Sequence, residues 1–171
     1  MNHLKDNNLS NYYALATAGV GATLAIFILL ILENNIQQPL LMAPFGASCV
    51  LLFLLPQSPL SQIRNVIGGH ALSTSVGLLF VFLATELFPE ETQLEMNIAI
   101  ALSVGVSIIL MGLFNVVHPP AGADPIVVLL AHHSSVFLFF PVLTGAVLLV
   151  LIAFFQQKLI NKLNKLNPTN N

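Results

Sequence analysis

Charge is what this sequence has least of. Lys and Arg number 5, Asp and Glu 7, and charged residues make up only 7% of 171 positions. A soluble domain carries about 25% charge. So little charge cannot cover a water-facing surface, which excludes the soluble class. Basic residues are especially scarce. The net charge is -2, and the one basic grouping is the sparse C-terminal set Lys158, Lys162 and Lys165. That excludes a nucleic-acid partner. Cysteine is limited to Cys49, so no internal disulfide can form. Without a Cys-x-x-Cys pair or zinc-ligand spacing, no metal site and no cofactor is expected. Residues 1–11 are polar, with one Lys and one Asp. They resemble neither a signal peptide nor an Arg-rich transit peptide.

What is present is apolar. Hydrophobic residues make up 56% and mean hydropathy is +0.88, which places residues 1–171 in a single transmembrane domain, an all-α polytopic helical bundle. Residues 12–32, 67–88, 96–117 and 136–155 are each long enough to cross a hydrocarbon core of about 30 Å. Two shorter apolar pieces lie between them. Residues 40–55 contain Pro44 and Gly46, and residues 121–131 contain Gly122, Asp124 and Pro125. Their uninterrupted helical parts, 48–55 and 125–132, would each rise only about 12 Å. Lys and Arg favour the cytoplasmic side. If both short pieces cross, Arg64 and the C-terminal lysines fall inside and Glu33, Glu86, Glu90, Glu91 and Glu95 fall outside. Six segments with both termini cytoplasmic therefore fit best, in a bacterial inner (plasma) membrane. Residues 157–171 form a cytoplasmic tail.

The chain also resembles itself. Displaced by 76 positions, Pro44-Phe45-Gly46-Ala47-Ser48 falls on Pro120-Ala121-Gly122-Ala123-Asp124, and Gly69 falls on Gly145. Each half, 12–88 and 96–156, reads long span, broken short piece, long span. Three segments per half make the second copy inverted, an arrangement found in transporters.

His118-Pro119-Pro120-Ala121-Gly122-Ala123-Asp124 resembles the signature of the HPP family of integral membrane proteins. So do Pro44-Phe45-Gly46-Ala47-Ser48, the run from Pro56 to Gln62, and Arg64-Asn65-Val66-Ile67-Gly68-Gly69-His70. The resemblance covers roughly residues 12–155. It implies a membrane protein described with four spans, and some members resemble nitrite transporters of cyanobacterial and plastid membranes. Nitrite is accordingly the substrate that the resemblance suggests.

The motifs themselves suggest an anion site. Pro44 and Gly46 disfavour a continuous helix, so an extended stretch should lead to a half-helix capped by Ser48. In the second copy Asp124 would be the cap and Pro125 the first helical residue. Two helix starts meeting at mid-membrane would offer free N–H groups to a small inorganic anion. Gly46, Ala47, Ser48, Ala121, Gly122, Ala123 and Asp124 are therefore the candidate binding residues, shaped by Pro44, Pro119 and Pro120. The bland alternative is a pair of tight turns. His70 and His118 suit a proton relay or gate; otherwise each is a neutral histidine bonded to a freed carbonyl. Asp124 caps its helix and, as a second role, couples protons. Arg64 either attracts anions at the inner mouth or fixes orientation. His132-His133 looks like an exposed loop pair. Gly69, Ser73 and Gly77, and likewise Ala99, Ser103 and Ser107, form small-residue packing seams.

The expected function is a transporter or channel for a small inorganic anion in a lipid bilayer. No Ser/His/Asp set with convincing placement, phosphate-cradling loop or metal cluster is legible, so an enzyme is not expected. The competing reading is a structural or regulatory membrane subunit without transport. Oligomeric state stays open, a homo-oligomer included.

Overall fold

The computed structural model describes residues 9–87 and 92–166. Residue 88, Glu90, Glu91 and the two chain ends lie outside them. The described residues form helices and turns, with no strand. Six α-helices follow in order: α1 (Leu9–Ile36), α2 (Pro44–Cys49), α3 (Ile63–Leu87), α4 (Gln93–Leu113), α5 (Asp124–Leu130) and α6 (Thr144–Leu166). Two are lengthened by wider or tighter turns. α2 continues as a π-wound turn, Val50–Leu54, and α5 is preceded by a 3₁₀ turn, Pro119–Ala123. A second π-wound turn, Leu138–Leu143, leads into α6, with Phe140 at φ -128 and ψ 113 immediately before Pro141. Proline has no N–H to continue a helix ladder and its ring crowds the preceding turn, so the break falls there.

Four helical stretches are long and apolar enough to cross a bilayer: Tyr12–Ile36, Ile63–Leu87, Gln93–Leu113 and Leu138–Leu163. The shorter apolar helices are Pro44–Leu54 and Pro119–Leu130. At 1.5 Å per residue each covers about 17 Å, half the hydrocarbon thickness. The chain is a multi-pass membrane protein.

Helix ends fall outside the apolar limits for local reasons. α1 runs on past Leu32 because Glu33 does not end it. The Glu33 carboxylate instead accepts the Leu40 and Leu41 amides at 2.9 and 3.0 Å, closing the following loop. α4 starts early because Thr92 and Glu95 form a reciprocal cap. Thr92 Oγ1 accepts the Glu95 amide, and Glu95 Oε2 accepts the Thr92 amide at 2.8 Å. That arrangement satisfies two otherwise orphaned donors. α6 extends through the lysine-bearing stretch to Leu166, so much of the expected tail is helical.

Packing is inside-out relative to a soluble protein. Phe27, Phe82, Ile108, Ile109 and Phe154 face outward, whereas Ser48, His70, Ser73, Thr74, Ser103, Ser107, His118 and Asp124 are fully buried. Lipid tails solvate apolar side chains, so close packing and internal hydrogen bonds hold the helices together instead. Gly69 and Gly77 mark the closest approaches. A Cβ on Gly69 would stand 2.7 Å from His118 Cβ and 3.0 Å from the Val116 oxygen, and one on Gly77 would stand 2.9 Å from Pro125 Cα. Gly145 packs similarly: its Cβ would stand 2.5 Å from the Leu40 oxygen and strike the Phe45 ring. Gly69 also neighbours the Ala121 methyl, with the added Cβ 3.6 Å away. Leu40 and Val116, Phe45 and Ala121, and Gly69 and Gly145 are each 76 positions apart.

Candidate functional site

Pro44 opens α2 from its first turn, where a missing N–H costs nothing. Ser48 lies one turn later and points inward. His118 is held extended, φ -135 and ψ 99, before Pro119, as the residue before a proline prefers. Pro119 and Pro120 then start the 3₁₀ turn, and Asp124 follows one turn after Pro120. His70 comes from α3, one residue after the glycine on which the His118 Cβ and the Val116 carbonyl pack.

These residues join in one buried chain of hydrogen bonds. Asp124 Oδ2 lies 2.8 Å from His70 Nδ1. His70 Nε2 lies 2.9 Å from Ser48 Oγ, and Ser48 Oγ lies 2.9 Å from His118 Nε2. His118 Nδ1 lies 3.0 Å from the Leu60 carbonyl oxygen. A carbonyl only accepts, so His118 Nδ1 carries a hydrogen there and Nε2 faces Ser48. Thr74, one turn beyond His70, donates to Asp124 Oδ2 at 3.3 Å. Ser73 donates to the Ala121 oxygen at 2.6 Å, fixing the 3₁₀ turn to α3. Ser61 anchors the far end by donating to the Leu51 and Leu55 carbonyls at 2.9 and 2.8 Å. The Phe45 ring meets His70 edge-on at 5.2 Å and 89°. One polar atom stays outside the chain. Asp124 Oδ1 is buried and has no hydrogen-bond partner among the described residues.

An ionised carboxylate alone at this depth is costly. The His70–Asp124 contact meets that cost, either as imidazolium with carboxylate or as imidazole with carboxylic acid. Both forms are neutral overall.

Several expected positions come together here, and several do not. Ser48, His70, His118 and Asp124 converge. Neither Ser48 nor Asp124 is a helix cap, however. α2 and the second short helix already begin at Pro44 and Pro119, with no side-chain cap bond at the residues before them. Ser48 and Asp124 therefore lie inside helical turns and their side chains are free to face His70. The extended stretch expected ahead of Ser48 is helical from Pro44, because proline at a first helical position imposes no break. The free first-turn amides are also fewer than expected. Phe45 N and Gly46 N bond to Met42 O and Ala43 O at 3.0 and 3.1 Å, and Ala121 N bonds to His118 O at 3.0 Å.

Gly46 and Ala47 lie on the exposed side of α2, Gly122 and Ala123 are half-buried, and Ala121 and Pro120 are buried. A Cβ added to Gly46 or Gly122 would meet nothing within 4 Å. Arg64 is exposed and donates to the Phe114 oxygen at 2.8 Å, capping the end of α4 rather than joining the chain. His132 and His133 form the turn after α5. His133 stacks on Phe137 at 3.8 Å, and partial burial lowers its pKa below the usual histidine value.

The sequence reading missed Thr74 and the Leu60 carbonyl, placed Ser73 in a packing seam without its bond to the Ala121 carbonyl, and missed Ser48, His70 and Asp124 as a set. Thr74 carried a signal, since position i+4 from a helical histidine shares its face. The set carried none, because its links span 22 and 54 residues of sequence.

The profile of the HPP transmembrane region matches residues 7–165. The chain belongs to the HPP family. Two relatives are described as transmembrane proteins of Dictyostelium discoideum. One is 35% identical over 130 residues, which is 74% of this chain and 44% of the relative. The other is 30% identical over 126 residues, 71% of this chain and 39% of the relative. The chain thus spans under half the length of these curated relatives. No solved structure matches it. In this HPP protein the signature tripeptide supplies His118 itself, together with the two prolines that place Asp124 one turn further on.

Proposed function

We propose that this HPP-family protein transports a small inorganic anion across the membrane, nitrite first among the candidates, and couples that movement to protons. The observation that carries the proposal is the buried Asp124–His70–Ser48–His118 chain. Titratable side chains at membrane depth are expensive, and they mark ion or proton pathways. Here Asp124 bonds His70 directly and Ser48 joins His70 to His118, at the point where the two short helices meet. The open space beside Gly46 and Gly122 supports a small ligand approaching the backbone there. We take the two halves to be inverted repeats. In support, Ser48 and Asp124, which are 76 positions apart, flank the two edges of the His70 ring. Both termini then lie on the cytoplasmic side.

The order Asp–His–Ser is also that of a hydrolytic triad. A nucleophilic serine needs an open face for the carbon it attacks, and Ser48 is 0% exposed with a second histidine on its hydroxyl. Transport is therefore preferred to catalysis. The remaining reading is a structural subunit held together by this polar core. Purified protein in vesicles, offered nitrite, nitrate, formate or chloride, separates them. Saturable flux of at least one anion is expected, and absence of flux for all four favours the structural role.

A further inference from the structure

We infer that the buried chain is a proton-loading site that takes up one proton together with one anion, and that Ser48 is the residue that switches it between its two states. This deepens the anion-transport reading and rests on it.

The inference comes from counting hydrogens. Four links join Asp124, His70, Ser48, His118 and the Leu60 carbonyl. Each link needs one hydrogen. An ionised Asp124, two neutral histidines and the Ser48 hydroxyl supply three between them. Filling all four links therefore requires one more proton, shared between Asp124 Oδ2 and His70 Nδ1, and the filled chain has no net charge. In that state the Ser48 hydroxyl donates to His118 Nε2 and accepts from His70 Nε2–H.

A fifth link is built in. Ser48 Oγ also lies 3.4 Å from the Pro44 carbonyl oxygen. If the hydroxyl turns to Pro44, its two lone pairs accept from both histidines at once. His118 Nε2 then takes a proton from water and donates it to Ser48 Oγ. Five links now hold five hydrogens and the chain carries one positive charge. No bond other than O–H and N–H forms or breaks, and the proton comes from the aqueous phase. Asp124 Oδ1, buried and unpartnered, is the acceptor at which a proton or water can join the chain from its other end.

A lone positive charge in a low-dielectric interior is unfavourable, and a nearby anion removes that penalty. The charged groups around the chain do not supply one. Asp124 is already committed to His70 and Thr74. Of the other titratable groups, Glu33 holds the Leu40 and Leu41 amides, Glu95 caps α4, Arg64 is bound to Phe114, and Cys49 is turned into the apolar core. The loaded state is therefore stable only with an added anion. Proton and anion enter as a neutral pair.

The test uses wild-type protein in vesicles with nitrite, a trapped pH dye and a potassium–valinomycin potential. Protein-free vesicles subtract the nitrous acid that crosses unaided. Co-uptake at about one proton per nitrite is expected, with about tenfold accumulation per pH unit. Accumulation should not respond to potential, whereas a carrier moving one net charge shifts about fiftyfold per 100 mV. Nitrite flux that follows potential, or that moves without protons, overturns the inference while leaving the transport reading intact. No nitrite flux at all sinks the transport reading for nitrite instead. A second measurement does not depend on flux. Adding nitrite to unbuffered, detergent-purified protein should draw about one proton per chain from solution, as the linkage of the two ligands requires. Ser48→Ala, checked for folding by size exclusion, should draw none. Equal proton uptake by Ser48→Ala, or none by wild type, overturns the role of Ser48.

Discussion

At the scale of single residues, the weight of the fold rests on a few polar atoms that cannot reach water. His70 and His118 each have partners on both ring nitrogens, but His70 faces the Asp124 carboxylate whereas His118 faces only neutral groups, Ser48 and the Leu60 carbonyl. Truncating His70 leaves the Asp124 carboxylate buried without its counterpart. We expect His70→Ala to cost about 3 kcal/mol, in the range for breaking a buried pair. His118→Ala should cost nearer 1 kcal/mol, as for an ordinary interhelical hydrogen bond in a membrane. Thermal unfolding in detergent ranks the two, and equal melting temperatures would contradict the asymmetry. Asp124→Asn keeps an acceptor for Thr74 but cannot exchange a proton with His70. That variant should fold and should lose the dependence of nitrite uptake on a pH gradient. Unchanged pH dependence would remove Asp124 from the coupling path.

At the scale of elements, glycines sort into two kinds. Gly69 and Gly77 press α3 against the His118–Val128 segment, and an added Cβ finds atoms closer than 3.0 Å. Gly46 and Gly122 face open space. Gly69→Leu and Gly77→Leu should therefore prevent accumulation of folded protein, while Gly46→Ala and Gly122→Ala should melt like wild type. Gly122→Val should also fold, and loss of its flux would show that the anion passes that backbone. Unimpaired flux in Gly122→Val would move the anion path elsewhere. The same contrast explains what could be foreseen. Long apolar runs with few charges specify spanning helices directly, so the four spans were legible, with ends within four residues except the last, which runs eight residues further to Leu163. The small-residue spacing of Gly69, Ser73 and Gly77 gave the seam. The starts of the short helices were misjudged, because Pro44 and Pro119 look like breaks along the chain and act as first residues of helices. That error carried over to Ser48 and Asp124, whose side chains were assigned to capping when they serve the core.

At the scale of the whole molecule, the positions that meet in the site lie 22, 54 and 70 residues apart in sequence. Periodicity describes neighbours on one helix and says nothing about partners at such separations. Only the 76-residue self-similarity brought Pro44–Ser48 and Pro120–Asp124 into one view, and it did not reveal that both face His70. Orientation in the membrane follows the same global logic. Arg64 caps α4 at the end of the bundle where α3 begins, and the orientation proposed from the positive-inside rule would put that end in the cytoplasm. In a Cys49→Ser background, Arg64→Cys should react with a membrane-impermeant thiol reagent only after the cytoplasmic face is opened. Labelling from outside intact cells would reverse the assignment.

The residues that close the polar core are not inserted together. Ser48 and His70 lie ahead of the loop between α3 and α4, whereas His118 and Asp124 lie after it. During synthesis the first half is then expected to wait in lipid with His70 bonded to Ser48 but without its carboxylate, and the second to arrive with Asp124 lacking His70. Each half alone should therefore be a target for membrane quality control, and each should become durable on meeting the other. Two separately expressed fragments, cut between α3 and α4, should both be degraded when made singly and both persist when made together. A fragment that persists alone would mean that its polar side chains find lipid or water partners without their complement.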